Sequence, residues 1–251
     1  METVVVKVGG SAITWKSKVK AARVDAVKAI ARELRKASSK ARILLVHGAG
    51  SFGHPIARRY GITTSSGGAH GVAETRLSLL ELSYMLLKEL NEAGVKATLL
   101  SPMALMVARR GRIDKIFTEP IARLLDHGIM PVLHGDVVSD LEACFTVVSG
   151  DQIACRLAVE LKASRVVFGV DVDGVLDERG GVVRELSLSR LSEYSMQQKA
   201  PDVTGGMAGK LMEAKAALEA GIPVVVGNAV KPGVLSKMIC GEPVRCTLVT
   251  L

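Results

Sequence analysis

Residues 41–54 read ARILLVHGAGSFGH, an apolar run that leads directly into a glycine-rich loop. Gly48, Gly50 and Gly53 have the G-x-G-x-x-G spacing of dinucleotide-binding loops. That fingerprint also requires a compact strand–helix–strand unit and an acidic residue about 20 positions further on. The nearest acidic residue here, Glu74, lies within a segment of helical periodicity instead. We therefore interpret the spacing as coincidental and the loop as part of an anion site of another kind.

Outside this stretch, short β-branched segments alternate with segments of helical periodicity along the chain. The pattern predicts strands at 3–8, 41–46, 96–101, 129–135, 165–170, 222–227 and 246–250. It predicts helices at 20–38, 72–94, 118–128, 149–163 and 207–221, with Gly94 and Gly128 as C′ residues. Strands that are apolar on both faces and separated by helices favour a mainly parallel sheet covered by helices on both sides. This pattern favours one αβα domain, although two lobes on one continuous sheet also fit.

The net charge of the chain limits the classes of molecule that the protein is expected to bind. The chain has 251 residues and a formal charge of +8, which suits binding to nucleic acid, acidic membranes or phosphorylated metabolites. No helix-turn-helix, zinc-finger or RNA-recognition pattern is present, and no apolar stretch is long enough to cross a bilayer. We therefore expect no nucleic-acid partner and no membrane partner, and interpret Arg109, Arg110 and Arg112 as solvated surface.

The cysteines indicate a reducing compartment. The chain has four, and their spacing matches no zinc site. We expect reduced side chains at Cys144, Cys155, Cys240 and Cys246. The apolar run at the N-terminus is too short for a signal peptide. The sequence thus predicts a cytoplasmic protein.

Four glycine-containing loops follow predicted strands or precede predicted helices. They are KVGGS at 7–11, HGAGSFGH at 47–54, SGD at 149–151 and DVTGGMAGK at 202–210. Glycine lets backbone N–H groups approach an anion closely, and a helix N-terminus adds a positive dipole. One such loop is weak evidence, whereas four predict a ligand with several phosphates. A further stretch, 62–71, is predicted to be a mobile loop.

Three lysines accompany these glycine loops, namely Lys7, Lys16 and Lys210. Each fits a solvated or rim position when taken alone. Together they fit phosphoryl transfer, which needs cations around the moving phosphate and little else from the protein. Asp151 follows the third loop and fits either a helix cap or a carboxylate that orients the lysines.

The remaining polar candidates have open assignments. Asp171 and Asp173 fit either an Asp-Gly turn or contact with a nucleotide. His54 fits either a structural role or a hydrogen bond to a bound phosphate. His47 and His134 each precede a glycine at a predicted strand end, and we expect both to be structural.

The motifs KVGGSAIT, HGAGSFGH, HGDVV, SGDQIA, GVDVDGVL and DVTGGMAGK occur in that order along the chain. This series resembles the amino acid kinase superfamily over nearly the whole sequence. The histidine that ends SFGH makes it most similar to the isopentenyl phosphate kinases and the related fosfomycin kinases. The resemblance implies an open three-layer αβα sandwich, usually dimeric, with an acceptor lobe at about 1–160 and a nucleotide lobe at about 161–251. It implies phosphoryl transfer from ATP with Mg²⁺ to isopentenyl phosphate.

Site residues follow from the same motifs. The resemblance implies ATP contacts from Lys7, Val8, Gly9, Gly10, Ser11, Gly50, Asp171, Gly206 and Lys210. It implies that Ala49, Gly53, His54, Ser149 and Gly150 surround the acceptor, with His54 hydrogen-bonded to the acceptor's phosphate. Lys16 is then expected to stabilise the transferring group, and Asp151 to hold the lysines in place. No protein side chain is expected to ligate a metal.

Two positions depart from the family pattern. Ala49 stands where the family often has glycine, and Trp15 stands where an aspartate often precedes the lysine. An apolar acceptor tail also needs a wall, for which we expect side chains of the 72–94 helix: Leu79, Leu82, Tyr84, Met85 and Leu86. The alternatives are a kinase of the same fold with another small acceptor, such as fosfomycin, and a catalytically silent nucleotide sensor.

Overall fold

The computed structural model describes residues 1–62, 68–190 and 206–251. Half of the predicted loop at 62–71 and the first part of the loop at 202–210 lie outside these ranges. Residues 69–71 of the first of these loops are helical, contrary to expectation. The strands are β1 Thr3–Val8, β2 Arg42–His47, β3 Ala97–Leu99, β4 Met106–Arg109, β5 Arg112–Ile116, β6 Met130–His134, β7 Asp136–Asp140, β8 Cys144–Val148, β9 Arg165–Val170, β10 Glu185–Ser187, β11 Val224–Asn228 and β12 Thr247–Thr250.

The helices of the same ranges vary from one to more than six turns. They are α1 Gly10–Ile13, α2 Val24–Ala37, α3 Gly50–Arg59, α4 Ala69–Glu92, α5 Pro102–Leu105, α6 Glu119–Asp126, α7 Gly150–Glu160, α8 Ala208–Glu219 and α9 Val234–Cys240. All twelve predicted elements correspond to observed ones, with ends that differ by at most four residues. Gly94 and Gly128 follow their helices with φ of +81° and +70°, as predicted for C′ residues. None of these helices is both long and apolar enough to cross a membrane.

Eight of the described strands form one sheet, in the order β10-β12-β11-β9-β1-β2-β6-β3. Neighbours pair in parallel except β11 with β12, so the predicted mainly parallel sheet is confirmed. Successive side chains of a strand point to opposite faces. Val5 accordingly packs in one apolar cluster, whereas Val4 and Val6 pack in a second cluster on the other face. Burial on both faces explains why the central strands read as continuous apolar runs.

The central strands end at one edge of this sheet. Val8 pairs with His47 on one side and with Gly169 on the other. His47 in turn pairs with His134, and Asn228 pairs with Val170. The loops that follow these strands therefore emerge together, at the edge where open parallel sheets bind ligands.

A second sheet was not anticipated from the sequence. Four short strands, all between Met106 and Val148, form it in the order β5-β4-β7-β8. β4 and β5 form an antiparallel hairpin with its turn at 110–111, and β7 pairs with β8 in the same way. The glycine loop at 47–54 also differs from expectation, because α3 already begins at Gly50 and contains Pro55.

Candidate active site

A cleft of about 1030 Å³ opens at the edge where the central strands end. Residues from all four glycine-containing loops line it, together with the chain that follows β9. Eleven of the predicted site residues are in the lining: Lys7, Gly9, Gly10, Ser11, Lys16, Gly50, His54, Asp151, Asp171, Gly206 and Lys210. The structure therefore brings together residues that are up to 200 positions apart in the sequence.

Close backbone packing explains the glycines of the first two loops. A Cβ atom added at Gly10 would lie 2.5 Å from the backbone of Gly50. One added at Gly48 would lie 2.6 Å from the backbone nitrogen of Gly10. Side chains at these positions would force the loops after β1 and β2 apart, which is the circumstance in which glycine is required. The two loops thus form one continuous wall of the cleft.

At the base of the cleft, two lysines share one carboxylate oxygen. The Nζ atoms of Lys7 and Lys210 each lie 2.8 Å from Oδ1 of Asp151. Both lysines are buried, with 7% and 6% of their side chains exposed. The Lys210 ammonium also lies 4.9 Å from the centre of the Phe168 ring, within the range of a cation–π contact. The cluster carries a net positive charge in a buried position that opens towards the cleft.

Electrostatics in this cluster shift two pKa values. Burial would raise the pKa of Asp151, but the charges of Lys7 and Lys210 outweigh this and lower it below its usual range. Burial, and then repulsion from Lys7, lower the pKa of Lys210 to about 8, although Asp151 opposes the shift. Asp151 is therefore ionised at neutral pH, and Lys210 loses its proton far more readily than an ordinary lysine.

Asp151 is not the cap of its helix. Ser149 occupies the N-cap position of α7, and its hydroxyl accepts a hydrogen bond from the backbone N–H of Gln152 at 3.1 Å. Asp151 lies in the first turn of α7, so its carboxylate is free to accept from the two lysines. Of the two readings of Asp151, the geometry supports the carboxylate that orients lysines.

Two nitrogen-containing side chains of α3 also belong to the cleft lining. His54 and Arg58, one turn apart on this helix, both line the cleft. The side chain of His54 is exposed to the cleft, but the surrounding protein atoms displace part of its hydration. This desolvation, followed by the charges of Lys7 and Arg58, lowers the pKa of His54, so its imidazole is neutral at pH 7. Sequence reasoning missed Arg58, because the segment was interpreted as a loop. Its spacing of four residues from His54 would have revealed it once a helix was recognised.

Five predicted site residues are absent from the cleft lining: Val8, Ala49, Gly53, Ser149 and Gly150. Val8 is buried, and Ser149 caps α7. A Cβ atom at Gly53 would lie 2.5 Å from that of Ala49 and 2.9 Å from Leu79. One at Gly150 would lie 3.4 Å from Cε of Lys7. The small size of Gly53 and Gly150 therefore lets the neighbouring loop, Leu79 and Lys7 pack closely.

Three further residues singled out in the sequence, Asp171, Asp173 and Trp15, each have a different partner. The hydroxyl of Ser11 donates to Asp171 at 2.9 Å, which fixes that carboxylate at the cleft. Asp173 is not in the lining and pairs with Lys231 at 2.7 Å. The exposed ring of Trp15 lies under the guanidinium of Arg23, 5.0 Å from the ring centre.

Two buried histidines lie behind the site. The rings of His47 and His134 are 5.5 Å apart, and Nε2 of His47 lies 2.9 Å from the hydroxyl of Ser83. Burial, followed by repulsion from His134, lowers the pKa of His47 to about 3. Neither ring lines the cleft, which agrees with the prediction that both are structural.

The expected wall for an apolar tail does not line this cleft. Three of the candidates on α4, Leu79, Leu82 and Leu86, are buried in the protein interior. The other two, Tyr84 and Met85, are 69% and 41% exposed. None of the five belongs to the cleft lining, because α4 directs its buried leucines into the core.

Comparison with known proteins identifies the family of this chain. The sequence matches the model of the amino acid kinase family over residues 2–228. It is 35% identical to isopentenyl phosphate kinases of Methanothermobacter thermautotrophicus and Haloferax volcanii, with 98% and 96% of each chain covered. A crystal structure of an isopentenyl phosphate kinase superposes with a TM-score of 0.84 at 30% identity, covering 98% of this chain and 99% of the other. The substrate complex of an isopentenyl phosphate kinase gives a TM-score of 0.77 at 26% identity, with the same coverage. The chain therefore belongs to the amino acid kinase family and, within it, to the isopentenyl phosphate kinases.

Proposed function

We propose that this protein transfers the γ-phosphoryl group of ATP to isopentenyl phosphate, giving isopentenyl diphosphate and ADP. The observation that carries the proposal is that one cleft is lined both by the pair of lysines on Asp151 and by His54 and Arg58. Such a site offers buried cations for a triphosphate and further nitrogen donors for a second phosphate. Relatives that are 35% identical over almost their full length carry the name of this activity.

On the nucleotide side, we assign the phosphates of ATP to Lys7, Lys210 and the backbone N–H group of Gly10. The N–H of Gly9 donates to the carbonyl of Gly169 at 2.8 Å, so Gly9 contributes through its small size instead. The ammonium groups neutralise the charge that moves to the leaving oxygen during transfer. Asp151 holds both ammonium groups on one carboxylate, so their positions are set before ATP binds. Asp171 and Gly206 lie in the same lining and complete the nucleotide side.

On the acceptor side, we assign the phosphate of the acceptor to His54, whose neutral ring donates a hydrogen bond. Lys16 lines the same cleft and is assigned to the transferring phosphoryl group. The acceptor is already an anion, so its attacking oxygen needs no general base. Transfer then occurs directly and in line between the two substrates, without a phosphoenzyme.

Kinases of this kind use ATP with Mg²⁺, which shields the phosphate charge during transfer. Within the described ranges, no group of three or more His, Cys, Asp or Glu side chains could hold a metal ion. We therefore propose that phosphate oxygens and water supply most of the ligands of the magnesium ion. Because the sequence predicts that no side chain ligates the metal, we assign the carboxylate of Asp171, which accepts from Ser11, to the water shell of the ion.

The organisation of the chain forms part of the proposal. We assign residues of about 1–160 to the acceptor lobe and about 161–251 to the nucleotide lobe of one domain. The free state of all four cysteines supports a cytoplasmic location. No nucleic-acid partner is proposed.

We also infer a homodimer, supported by an apolar stripe on the outer face of α4. Leu77, Leu80, Tyr84 and Met85 have helical spacing and are all exposed. Tyr84→Glu should reduce the dimer to a monomer in light scattering, whereas Glu89→Gln on the same helix should not.

The experiment that tests the function is an acceptor screen with ATP at saturating Mg²⁺. We expect ADP formation with isopentenyl phosphate and little with fosfomycin, carbamate or UMP. Lys16→Ala should lower kcat by about 10²–10³, as loss of one transition-state donor does, whereas Lys18→Ala should not. Preference for another acceptor would reassign the substrate, and absence of any transfer would indicate the nucleotide sensor.

A further inference from the structure

The β4–β5 hairpin is attached to both helices that carry the shared ion cluster. On α7, Gln152 is the residue after Asp151, and its side chain is hydrogen-bonded both to the turn of the hairpin and to β5. Its Oε1 accepts from the backbone N–H of Ile113 at 2.7 Å, and its Nε2 donates to the carbonyl of Gly111 at 3.2 Å. Gln152 is only 7% exposed, so these bonds are formed away from solvent. The position of the first turn of α7 is thereby tied to the hairpin.

The same part of β5 also contacts α8, through the carboxylate of Glu213, one turn beyond Lys210. The two terminal nitrogens of Arg112 lie 2.5 and 2.7 Å from the two carboxylate oxygens of Glu213. Paired contacts between the two planar groups fix orientation as well as distance. The interpretation of Arg112 as merely solvated surface is therefore incomplete, because its guanidinium contacts a residue 101 positions further along the chain.

The turn of the hairpin is itself held rigid. The carboxylate of Asp140 accepts hydrogen bonds from four backbone N–H groups, which belong to Arg110, Gly111, Glu142 and Ala143. These bonds, the one from Gly111 first, lower the pKa of Asp140 to about 2. A turn fixed in this way can transmit position to the helices it contacts.

We propose that Arg112, Gln152 and Glu213 are positioning residues that set the distance between Lys210 and Asp151. The physical need arises from the cluster itself. Lys7 and Lys210 are like charges on one oxygen, and their repulsion favours movement of α8 away from α7. The hairpin opposes that movement by holding both helices at the turns that carry the cluster. The inference rests on the proposed function, in which Lys210 binds the phosphates of ATP.

The test is the neutral substitution Glu213→Gln, paired with Arg112→Gln on the other side of the link. Each should raise KM for ATP about fivefold, on the scale of one well-formed ion pair, and leave KM for isopentenyl phosphate unchanged. The double variant Arg112→Glu/Glu213→Arg should return KM for ATP towards the wild-type value. Asp114→Asn is the matched control, because Asp114 pairs with Arg109 inside the hairpin itself.

A purely structural role would lower the melting temperature without changing KM for ATP, and that result would overturn the proposal. Equal effects in Asp114→Asn would overturn it as well. Calorimetric binding of a non-hydrolysable ATP analogue keeps the test independent of the acceptor. If the wild-type protein fails to phosphorylate isopentenyl phosphate yet Glu213→Gln weakens analogue binding, the proposed function fails and the positioning role stands.

Discussion

Lys7 and Lys210 direct their ammonium groups to the same oxygen of Asp151, at 2.8 Å each, from elements 200 residues apart. One carboxylate therefore balances two buried cations, and the surplus positive charge faces the cleft. A bound polyphosphate would supply the missing negative charge. The cluster thus couples the stability of the fold to the binding of an anionic substrate.

Loss of the shared carboxylate should destabilise the free protein. Asp151→Asn leaves Lys7 and Lys210 buried without a counter-charge, and we expect a loss of about 3 kcal/mol of unfolding free energy. Urea denaturation measures this directly. Asp173→Asn is the control, because its partner Lys231 is largely exposed and the loss should stay below about 1 kcal/mol. Equal losses in the two variants would contradict the account of the cluster.

The lowered pKa of Lys210 should appear in the pH dependence of ATP use. Lys210 binds phosphate only when protonated, so kcat/KM for ATP should fall as pH rises through about 8. Lys210→Arg should remove this alkaline limb, because arginine stays charged. A wild-type profile that is flat to pH 9.5 would show that Lys210 does not titrate there.

The same shift has a consequence for folding with a defined sign. The folded-state pKa of Lys210 lies below its unfolded value, so burial of its charged form costs stability below about pH 8. This cost is relieved as pH rises towards the unfolded pKa of about 10.4. The pKa of Asp151 is lowered instead, so its stabilising contribution is present above the unfolded pKa and is lost in acid.

His54 should affect the acceptor rather than the nucleotide. His54→Ala removes one hydrogen bond to the acceptor's phosphate, and we expect KM for isopentenyl phosphate to rise about tenfold. The affinity for an ATP analogue should stay unchanged in calorimetry. His127→Ala is a suitable control, because His127 is exposed at the end of α6 and does not line the cleft. Unchanged turnover of isopentenyl phosphate would remove His54 from the acceptor site.

Substitution of Arg58 provides a second test of the acceptor site. Arg58 lines the cleft one turn beyond His54. Arg58→Gln should therefore raise KM for phosphorylated acceptors about tenfold through loss of a charge-assisted contact. Its neighbour Arg59 lies over the Tyr60 ring at 5.5 Å and is outside the lining. Steady-state kinetics of Arg58→Gln and Arg59→Gln separate a local contact from a general effect of charge. Equal KM values in the two variants would argue against the contact.

The main sheet was predictable because its strands have a strong hydrophobic pattern. The second sheet and α3 were not, because their local sequence patterns are weak. Strands such as β1 and β9 are apolar on both faces, so their sequence specifies a buried parallel sheet. The four strands of the second sheet are at most five residues long, and β5 reads RIDKI, which shows little apolar character. α3 was missed because three glycines and Pro55 favour a loop locally.

The site was predictable in composition but not in its contacts. Motif resemblance identified Lys7, Asp151 and Lys210, although only the folded chain shows that both lysines share one oxygen. The link from Arg112 to Glu213 crosses 101 positions and has no local signature, so it emerges only from the tertiary structure. The glycines at positions 10 and 50 are likewise explained by contact between two distant loops.

Phosphorus NMR of the wild-type protein with ATP, Mg²⁺ and isopentenyl phosphate tests the central claim most directly. The account predicts that the monoester signal of the acceptor disappears while two coupled diphosphate signals and those of ADP appear. Formation of ADP and inorganic phosphate with the monoester signal unchanged would contradict it, as would the absence of any change in the spectrum.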